Sequence, residues 1–241
     1  MKILSIDTSN APLAIALVED KQLVAETTLN ITKNHSVFLM PVIEQLMQMA
    51  SWTPQQLNRI VVAQGPGSYT GVRIAVTTAK TLASTLNIEL VGVSSLEVLA
   101  KAPIELTGLP VVSIFNARRN TVFAGGYQLK NNQLQTFIPE AHYELADLIS
   151  QINANQQPVM VVGEIIPEFK DQFMNNTNLV TFGNAQSQFP SAFQLALIGT
   201  DRQSVEDIDG FVPNYLRITE AEMNWQKSHP GESKKSYVRE V

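Results

Sequence analysis

Asp7, Thr8 and Ser9 follow an apolar run directly and supply one carboxylate and two hydroxyl groups. A carboxylate at a strand end, beside backbone amides, can hold a hydrated metal ion and meet a phosphate group. The segment that follows lacks glycine up to Pro12, which itself removes one backbone donor. On these residues alone a polar strand end is the favoured interpretation, and a phosphate site is the alternative.

A glycine-rich block runs from Gly65 to Gly71, between an apolar run and a helical pattern. Exposed amides at a helix start can bind phosphate, because that end of a helix attracts anions. The block lacks the Gly-Lys-Ser/Thr sequence of a P-loop, and Pro66 deletes another donor. We therefore expect a tight turn with glycines at positive φ, capped by Ser68 or Thr70.

Histidines and arginines offer the other candidate groups. The three histidines, His35, His142 and His229, are far apart, cysteine is absent, and no spacing indicates a metal site. Arg118 and Arg119 lie after a predicted strand and could clamp an anion bidentately. A solvated turn between strands is the favoured interpretation of that pair.

Composition limits the classes of function. The 241 residues are 44% hydrophobic and 16% charged, with a formal net charge of −5. A surface with few charges is compatible with burial against another subunit. Basic residues cluster only from Lys227 onward, so the chain is a poor candidate to hold RNA alone. No apolar run suits a signal peptide or a membrane span, and we expect a soluble, cytoplasmic protein without membrane contact.

Hydrophobic periodicity predicts the elements that position these groups. Residues 1–103 contain strands at 2–7, 13–18, 23–29, 59–63 and 90–93, and helices from 36, from 70 or 71, and over 94–102. This order is typical of a ribonuclease-H-like lobe, a mixed sheet covered by helices. The first helix has Ser36 as its predicted N-cap. Its predicted apolar stripe is Val37, Met40, Ile43, Met47 and Ala50.

The second predicted helix has two distinct faces. Val72, Val76, Ala79, Ala83 and Leu86 form its apolar stripe, whereas Thr77, Thr81 and Ser84 make the opposite face small and uncharged. Such a face would let another helix approach closely.

Beyond a linker predicted at 103–110, residues 104–220 form a second α/β lobe. Strands are predicted at 111–115, 121–129, 134–138, 159–162 and 179–182, and helices at 145–152, after 167 and at 191–198. We expect the last helix to pack back on the first lobe. Residues 221–241 are polar and predict a flexible tail.

Six segments of the sequence are distinctive: ILSIDTS, His35-Ser36 with Leu39 and Pro41, GPGSYTGVRIAVTTAKTLA, GVSSLEVLA, NARRNTVFAGGY and PNYLR. Together they resemble the TsaB (YeaZ) family of the TsaD/glycoprotease-like (M22) superfamily. The resemblance implies an actin-like ATPase (ASKHA) fold of two lobes. It also implies membership of a TsaB–TsaD–TsaE assembly. That assembly transfers threonylcarbamoyl from its adenylate to the adenosine next to the anticodon of tRNAs reading codons that begin with A.

The resemblance further implies a partner subunit without catalytic residues of its own. Ser95 and Leu99 stand where TsaD carries its metal-binding histidines, so no metal site is expected. Asp7, Thr8 and Ser9 become a vestigial phosphate loop. No cofactor is expected on this chain alone, although ATP or ADP could lie at the interface of the complex.

In the family, the two helices 35–49 and 71–86 contact TsaD and also form a homodimer when TsaD is absent. The residues that this resemblance assigns to the partner interface are His35, Leu39, Val42, Leu46, Arg73, Thr77, Lys80, Thr81 and Ser84. Contact with tRNA is expected only through the complex. The sequence departs from the family at Asn116, where aspartate is common.

Two other functions remain as alternatives. An independent actin-like ATPase or kinase would need an intact phosphate loop, against which Asn10-Ala11-Pro12 argues. A metalloprotease would need the metal ligands that Ser95 and Leu99 cannot provide.

Overall fold

A computed structural model describes residues 1–30, 34–131 and 133–217. Its strands within those ranges are β1 (Lys2–Asp7), β2 (Pro12–Glu19), β3 (Gln22–Asn30), β4 (Arg59–Ala63), β5 (Glu89–Val93), β6 (Val111–Asn116), β7 (Thr121–Lys130), β8 (Gln133–Glu144), β9 (Val159–Gly163) and β10 (Val180–Phe182). Its α helices there are α1 (His35–Met49), α2 (Tyr69–Leu86), α3 (Ser95–Thr107), α4 (Leu145–Asn155), α5 (Pro167–Asn176) and α6 (Ala192–Thr200). The tail predicted at 221–241 and His229 lie outside the described residues.

Two five-stranded sheets share one topology. The first has the order β3-β2-β1-β4-β5 and the second the order β10-β9-β6-β7-β8. In each, three strands joined by short turns pair antiparallel, and the next two add parallel after a helical crossover. Each sheet is thus a ribonuclease-H-like unit, and their duplication is the actin-like fold. The predicted fold class is confirmed.

Helices cover both faces of the first sheet. Residues of β1, β2 and β4 are buried almost throughout, as expected for strands covered on both sides. One face packs against α1 and α2, and the other packs against α6. The Ser5 hydroxyl donates to the Ala192 carbonyl at 2.7 Å, so α6 lies directly on the sheet although it follows the second sheet in the chain.

Helix α3 runs through the predicted linker. Pro103 is buried inside it, and the helix ends only at Thr107, before Gly108 with φ 69°. Proline removes one helical hydrogen bond, but burial of Pro103 and Ile104 against the apolar residues around them keeps the helix intact. The linker prediction is wrong, and the boundary placed after residue 103 falls inside a helix.

The apolar stripe of α1 differs from the predicted one. The buried residues are Leu39, Ile43, Leu46 and Met47, whereas Val37 and Met40 face outward. The predicted N-cap is also wrong, because the helix begins at His35 after Asn34, whose φ is 70°. Helix α1 therefore presents apolar side chains on two faces.

The stripe of α2 agrees with the prediction: Val72, Val76, Ala79 and Ala83 are buried, and Leu86 is half-buried. Ser68 is its N-cap, with the side-chain oxygen accepting the Gly71 amide at 3.3 Å.

Residues 201–217, here called the strap, run from α6 along the first sheet to the second. The Val205 amide donates to the Leu90 carbonyl at 2.8 Å, and the Asn214 amide donates to the Gln64 carbonyl at 2.7 Å.

Among the described residues no helix combines the length and apolar character needed to cross a bilayer.

Candidate functional site

The candidate phosphate loop, Asp7 to Ser9, lies where β1 leads toward β2 and is completely buried. Asp7, Thr8 and Ser9 are each 0% exposed. The Ser9 amide donates to Asp7 Oδ1 at 2.8 Å, and the Thr8 hydroxyl donates to the Gly71 carbonyl at 2.7 Å. These groups bond to the protein itself and do not line an open site.

The glycine-rich turn lies directly on this loop. A Cβ atom added to Gly67 would lie 2.1 Å from the Ser9 carbonyl oxygen, and one added to Gly71 would lie 2.1 Å from the Thr8 carbonyl oxygen. The Ser68 amide, which at an open helix start could face an anion, donates to the same Ser9 carbonyl at 2.6 Å. The loop and the turn are therefore in direct backbone contact, and the Ser68 amide is engaged within the protein.

Only one of these glycines has the predicted positive φ. Gly65 has φ 107°, whereas Gly67 and Gly71 are required because any side chain there would collide with the loop. The turn was predicted correctly, but its glycines serve mainly close backbone contact.

The Asp7 carboxyl group is buried without a full set of partners. Oδ1 accepts the Ser9 amide, while Oδ2 has no hydrogen-bond partner in the described part of the chain. Burial raises the pKa of Asp7, and the Ser9 hydrogen bonds and the His35 charge offset only part of that rise. No group of three His, Cys, Asp or Glu side chains within the described ranges could hold a metal ion.

Ser95 and Leu99, at the expected positions of the missing histidines, lie in the core. They are 0% and 2% exposed, and the Leu99 side chain packs from α3 against strands of the second sheet. Both are in the first turns of α3, where Ser94 caps the helix by accepting the Leu96 amide. This part of α3 is a packing surface.

The two described histidines make separate local hydrogen bonds. His35 Nε2 lies 2.8 Å from the Ala11 carbonyl oxygen and fixes the start of α1 against the β1–β2 turn. His142 Nε2 lies 2.8 Å from the Thr121 hydroxyl. Burial and the charge of Arg217 lower the pKa of His142.

The predicted partner interface on α1 and α2 is only partly at the surface. Arg73, Thr77, Thr81 and Ser84 are exposed, and His35 and Val42 are half-buried. Leu39 and Leu46 are 1% and 8% exposed, because they point from α1 into the core above the first sheet. Their assignment as partner contacts is corrected by that burial.

Lys80 is engaged within the chain. Its Nζ donates to the Asp209 carbonyl at 2.6 Å and to the Phe211 carbonyl at 2.8 Å, so it holds the strap against α2. Lys80 remains half-exposed, so its contact with a partner stays a prediction.

Sequence reasoning missed the apolar part of this surface. Val37, Phe38 and Met40, here called the outer patch, are 62%, 42% and 47% exposed. A groove of about 480 Å³ lies between α1 and α2 and includes Met40 and Tyr69 in its lining. The signal was present as apolar residues on more than one face of α1, which is typical of a helix with a second packing partner.

A cleft of about 810 Å³ lies between the ends of the two sheets. Asn116 lies in its wall. The Asn116 side-chain oxygen Oδ1 accepts the backbone amide of Arg118 at 2.8 Å, and the Asn116 backbone amide donates to a Glu164 carboxylate oxygen at 3.3 Å. The Asn116–Arg119 segment is therefore the predicted turn between strands. It also turns Arg118 toward the cleft, where Arg217 joins it.

The fold defines an actin-like α/β protein of two lobes, in which the loop after β1 packs directly on the glycine-rich turn. The family model for TsaD, described as tRNA N6-adenosine threonylcarbamoyltransferase, matches residues 22–225. The tRNA threonylcarbamoyladenosine biosynthesis protein TsaB of Bacillus subtilis is 42% identical over 229 residues, which are 95% of this chain and 99% of that protein. The chain therefore belongs to the TsaB family, within the wider group that the TsaD family model describes.

Two further comparisons agree with this family assignment. A tRNA N6-adenosine threonylcarbamoyltransferase of Anaeromyxobacter sp. is 34% identical over 113 residues, which are 40% of this chain and 34% of that protein. A crystal structure from Pseudomonas aeruginosa, described as similar to peptidase YEAZ, superposes with a TM-score of 0.78 at 25% identity and covers 90% of this chain and 99% of that one.

Proposed function

We propose that this chain is a non-catalytic subunit of tRNA threonylcarbamoyladenosine biosynthesis that binds and activates a TsaD-type transferase. Membership of the TsaB family supports its involvement in that pathway. The activity of the assembly is the transfer of threonylcarbamoyl to the adenosine next to the anticodon, and the partner supplies the catalytic groups.

The packing of the loop after β1 on the glycine-rich turn supports a role without catalysis. A nucleotide-hydrolysing enzyme of this fold needs backbone amides that face a phosphate and a carboxylate that faces a metal ion. Here the Ser68 amide donates to Ser9, and the Asp7 carboxyl group lies at 0% exposure beneath the turn.

The outer patch is the observation that carries the proposal. Val37, Phe38 and Met40 are exposed on α1, and the groove beside Met40 is lined by Thr77 and Arg73 of α2. An exposed apolar patch with a charged residue only at its margin is typical of a protein–protein contact, because charged side chains are depleted at the centre of interfaces. We place the transferase on this face, and the homodimer of the isolated chain on the same face.

The test is to mix the purified chain with its cognate TsaD-type protein and measure association by light scattering. A tRNA modification assay with and without this subunit follows. We expect a stoichiometric complex that loses activity when either protein is omitted.

Matched variants locate the contact. Phe38→Glu should abolish association, because it places a charge at the centre of the outer patch, while leaving the fold intact. Met174→Glu is the control, since Met174 is 65% exposed on α5 of the other lobe. Equal association of both variants with the transferase would refute the placement.

The alternative of an independent ATPase makes the opposite prediction. Absence of association, together with ATP turnover by this chain alone that Asp7→Ala abolishes, would replace the partner-subunit proposal. Two predictions from the family resemblance stay predictions. They are that TsaE is a further partner and that ATP or ADP lies at the interface of the complex.

A further inference from the structure

A second depression, of about 350 Å³, lies where the strap meets the turn between β6 and β7. Its lining includes three arginines and three aromatic residues, namely Arg118, Arg119, Arg217, Tyr69, Phe123 and Tyr215. The strap brings Tyr215 and Arg217 to this place from the C-terminal side, whereas Tyr69 begins α2.

Two of the aromatic rings form an exposed stack. The ring centroids of Tyr69 and Tyr215 are 5.3 Å apart with planes 28° from parallel, and the residues are 49% and 45% exposed. The Arg73 guanidinium lies 5.0 Å from the centre of the Tyr69 ring. Exposed rings beside guanidinium groups are suited to stacking with a further flat, electron-rich group.

Two of the three arginines at the depression, Arg118 and Arg217, differ in their partners from several other basic residues of the described ranges. Arg59, Lys101 and Arg202 each form an ion pair with a glutamate. Within the described ranges Arg118 forms no ion pair, and Arg217 donates only to the Ala117 carbonyl at 3.3 Å. In a chain of net charge −5, this local positive surface favours an anionic ligand.

We propose that this depression binds a single-stranded segment of RNA, with Arg118 and Arg217 on its phosphates and a base on the tyrosine stack. The inference rests on the proposed function, because the assembly must hold a tRNA next to the transferase. The site lies beside the start of α2 and hence at the margin of the proposed partner surface, where it would extend the RNA-binding surface of the transferase.

The geometry favours an RNA strand over a free nucleotide. Polyphosphates are commonly held by loop amides and a metal ion, but here the glycine-rich turn is closed on Ser9. Guanidinium groups at Arg118 and Arg217, around an open mouth, are suited to successive phosphates. Stacking on an exposed tyrosine accepts any base, which is common in single-strand binding.

The test measures tRNA binding to the assembled pair of this chain and its TsaD-type partner at several salt concentrations. The double variant Arg118→Gln/Arg217→Gln should reduce the steepness of the log affinity against log salt plot by about 1.4, because each phosphate contact to a single strand contributes about 0.7. Affinity should fall about tenfold, and Tyr215→Leu should lower it by a similar factor.

The control Lys130→Gln/Lys170→Gln removes the same charge from exposed positions on β7 and α5. An equal loss in the control, or an unchanged salt dependence in the arginine variant, would overturn the RNA site. Equilibrium dialysis of AMP against the chain alone distinguishes a free nucleotide from RNA as the ligand of the depression. AMP binding that requires the arginines, with tRNA binding unaffected, would also overturn it.

Association of the two proteins is measured first by light scattering, for the wild type and both double variants. Failure of the wild type to associate would count against the proposed function and not against the RNA site, which the chain alone then tests with the same tRNA. If the wild type and both double variants associate with the partner, and only the arginine variant shows altered RNA binding, the proposed function and the RNA site are both supported.

Discussion

Truncation of two neighbouring residues on α1 should separate folding from partner binding. Leu39 is 1% exposed in the core of the first lobe, whereas Phe38 is 42% exposed on the outer patch. We predict that Leu39→Ala lowers stability with little effect on the affinity of the folded protein for its partner. Phe38→Ala should do the reverse.

The magnitudes follow from burial. A leucine buried to this degree loses its transfer free energy and leaves a cavity on truncation, which costs about 2–5 kcal/mol. For a chain of this length, that cost corresponds to a fall of about 4 to 20 °C in the thermal midpoint. Truncation of the half-exposed Phe38 should cost about 1 kcal/mol of stability. It should weaken association by about 2 kcal/mol, or about thirtyfold, if the ring is a central contact.

The assays are thermal unfolding followed by circular dichroism and titration of each variant into the TsaD-type partner by light scattering. Leu39→Ala is titrated well below its midpoint, so that the folded protein is compared. If Leu39→Ala kept the wild-type midpoint but lost association, the burial that divides the two faces of α1 would be refuted. Equal destabilisation by both variants would refute it as well.

Three further predictions concern the loop and α2. Because burial raises the pKa of Asp7, its contribution to stability is full below the unfolded value of 3.8 and is lost as pH rises through the folded pKa. In urea titrations, Asp7→Asn should therefore gain stability relative to wild type as pH rises above 3.8. A stability difference between the two proteins that stays constant with pH would contradict this. Gly67→Ala, whose Cβ would lie 2.1 Å from Ser9, should cost about 1–3 kcal/mol or more, and an unchanged thermal midpoint would show that the turn is not closed on the loop. Ala79→Glu should abolish cooperative unfolding, because Ala79 is 0% exposed, whereas the exposed Thr77→Glu should keep the wild-type midpoint and lose partner association. Loss of the midpoint in both variants would place Thr77 in the core as well.

The sequence predicts elements well where one pattern dominates. β4 was predicted at its observed bounds, because five apolar or half-apolar residues between polar turns fit only a buried strand. The inner face of α2 was also predicted, since its large and small apolar residues lie on one side and threonines on the other. The short connections between the first three strands permit antiparallel pairing only, and β1, β2 and β3 pair in that way.

Patterns that fit more than one packing arrangement misled the sequence reasoning. Helix α1 has apolar residues on two faces, and periodicity cannot state which face lies on the sheet, so Val37 and Met40 were assigned to the core. Pro103 indicates a helix end by local preference, yet burial in the core keeps it inside α3. The hydrogen bonds from Lys80 to the strap also join segments that are far apart in the chain, which no local pattern predicts.

The sequence by itself determined the fold class, the family, most of the elements and the position of a glycine-rich turn before α2. Only the tertiary structure decided whether that turn is open or closed, because the answer depends on the 2.6 Å hydrogen bond from the Ser68 amide to Ser9, a contact between segments far apart in the chain. It also decided that Arg118 and Arg217, 99 residues apart in number, share one depression with Tyr69 and Tyr215. Local propensity and period act over a few residues, whereas such sites depend on how two lobes and a returning strap are packed together.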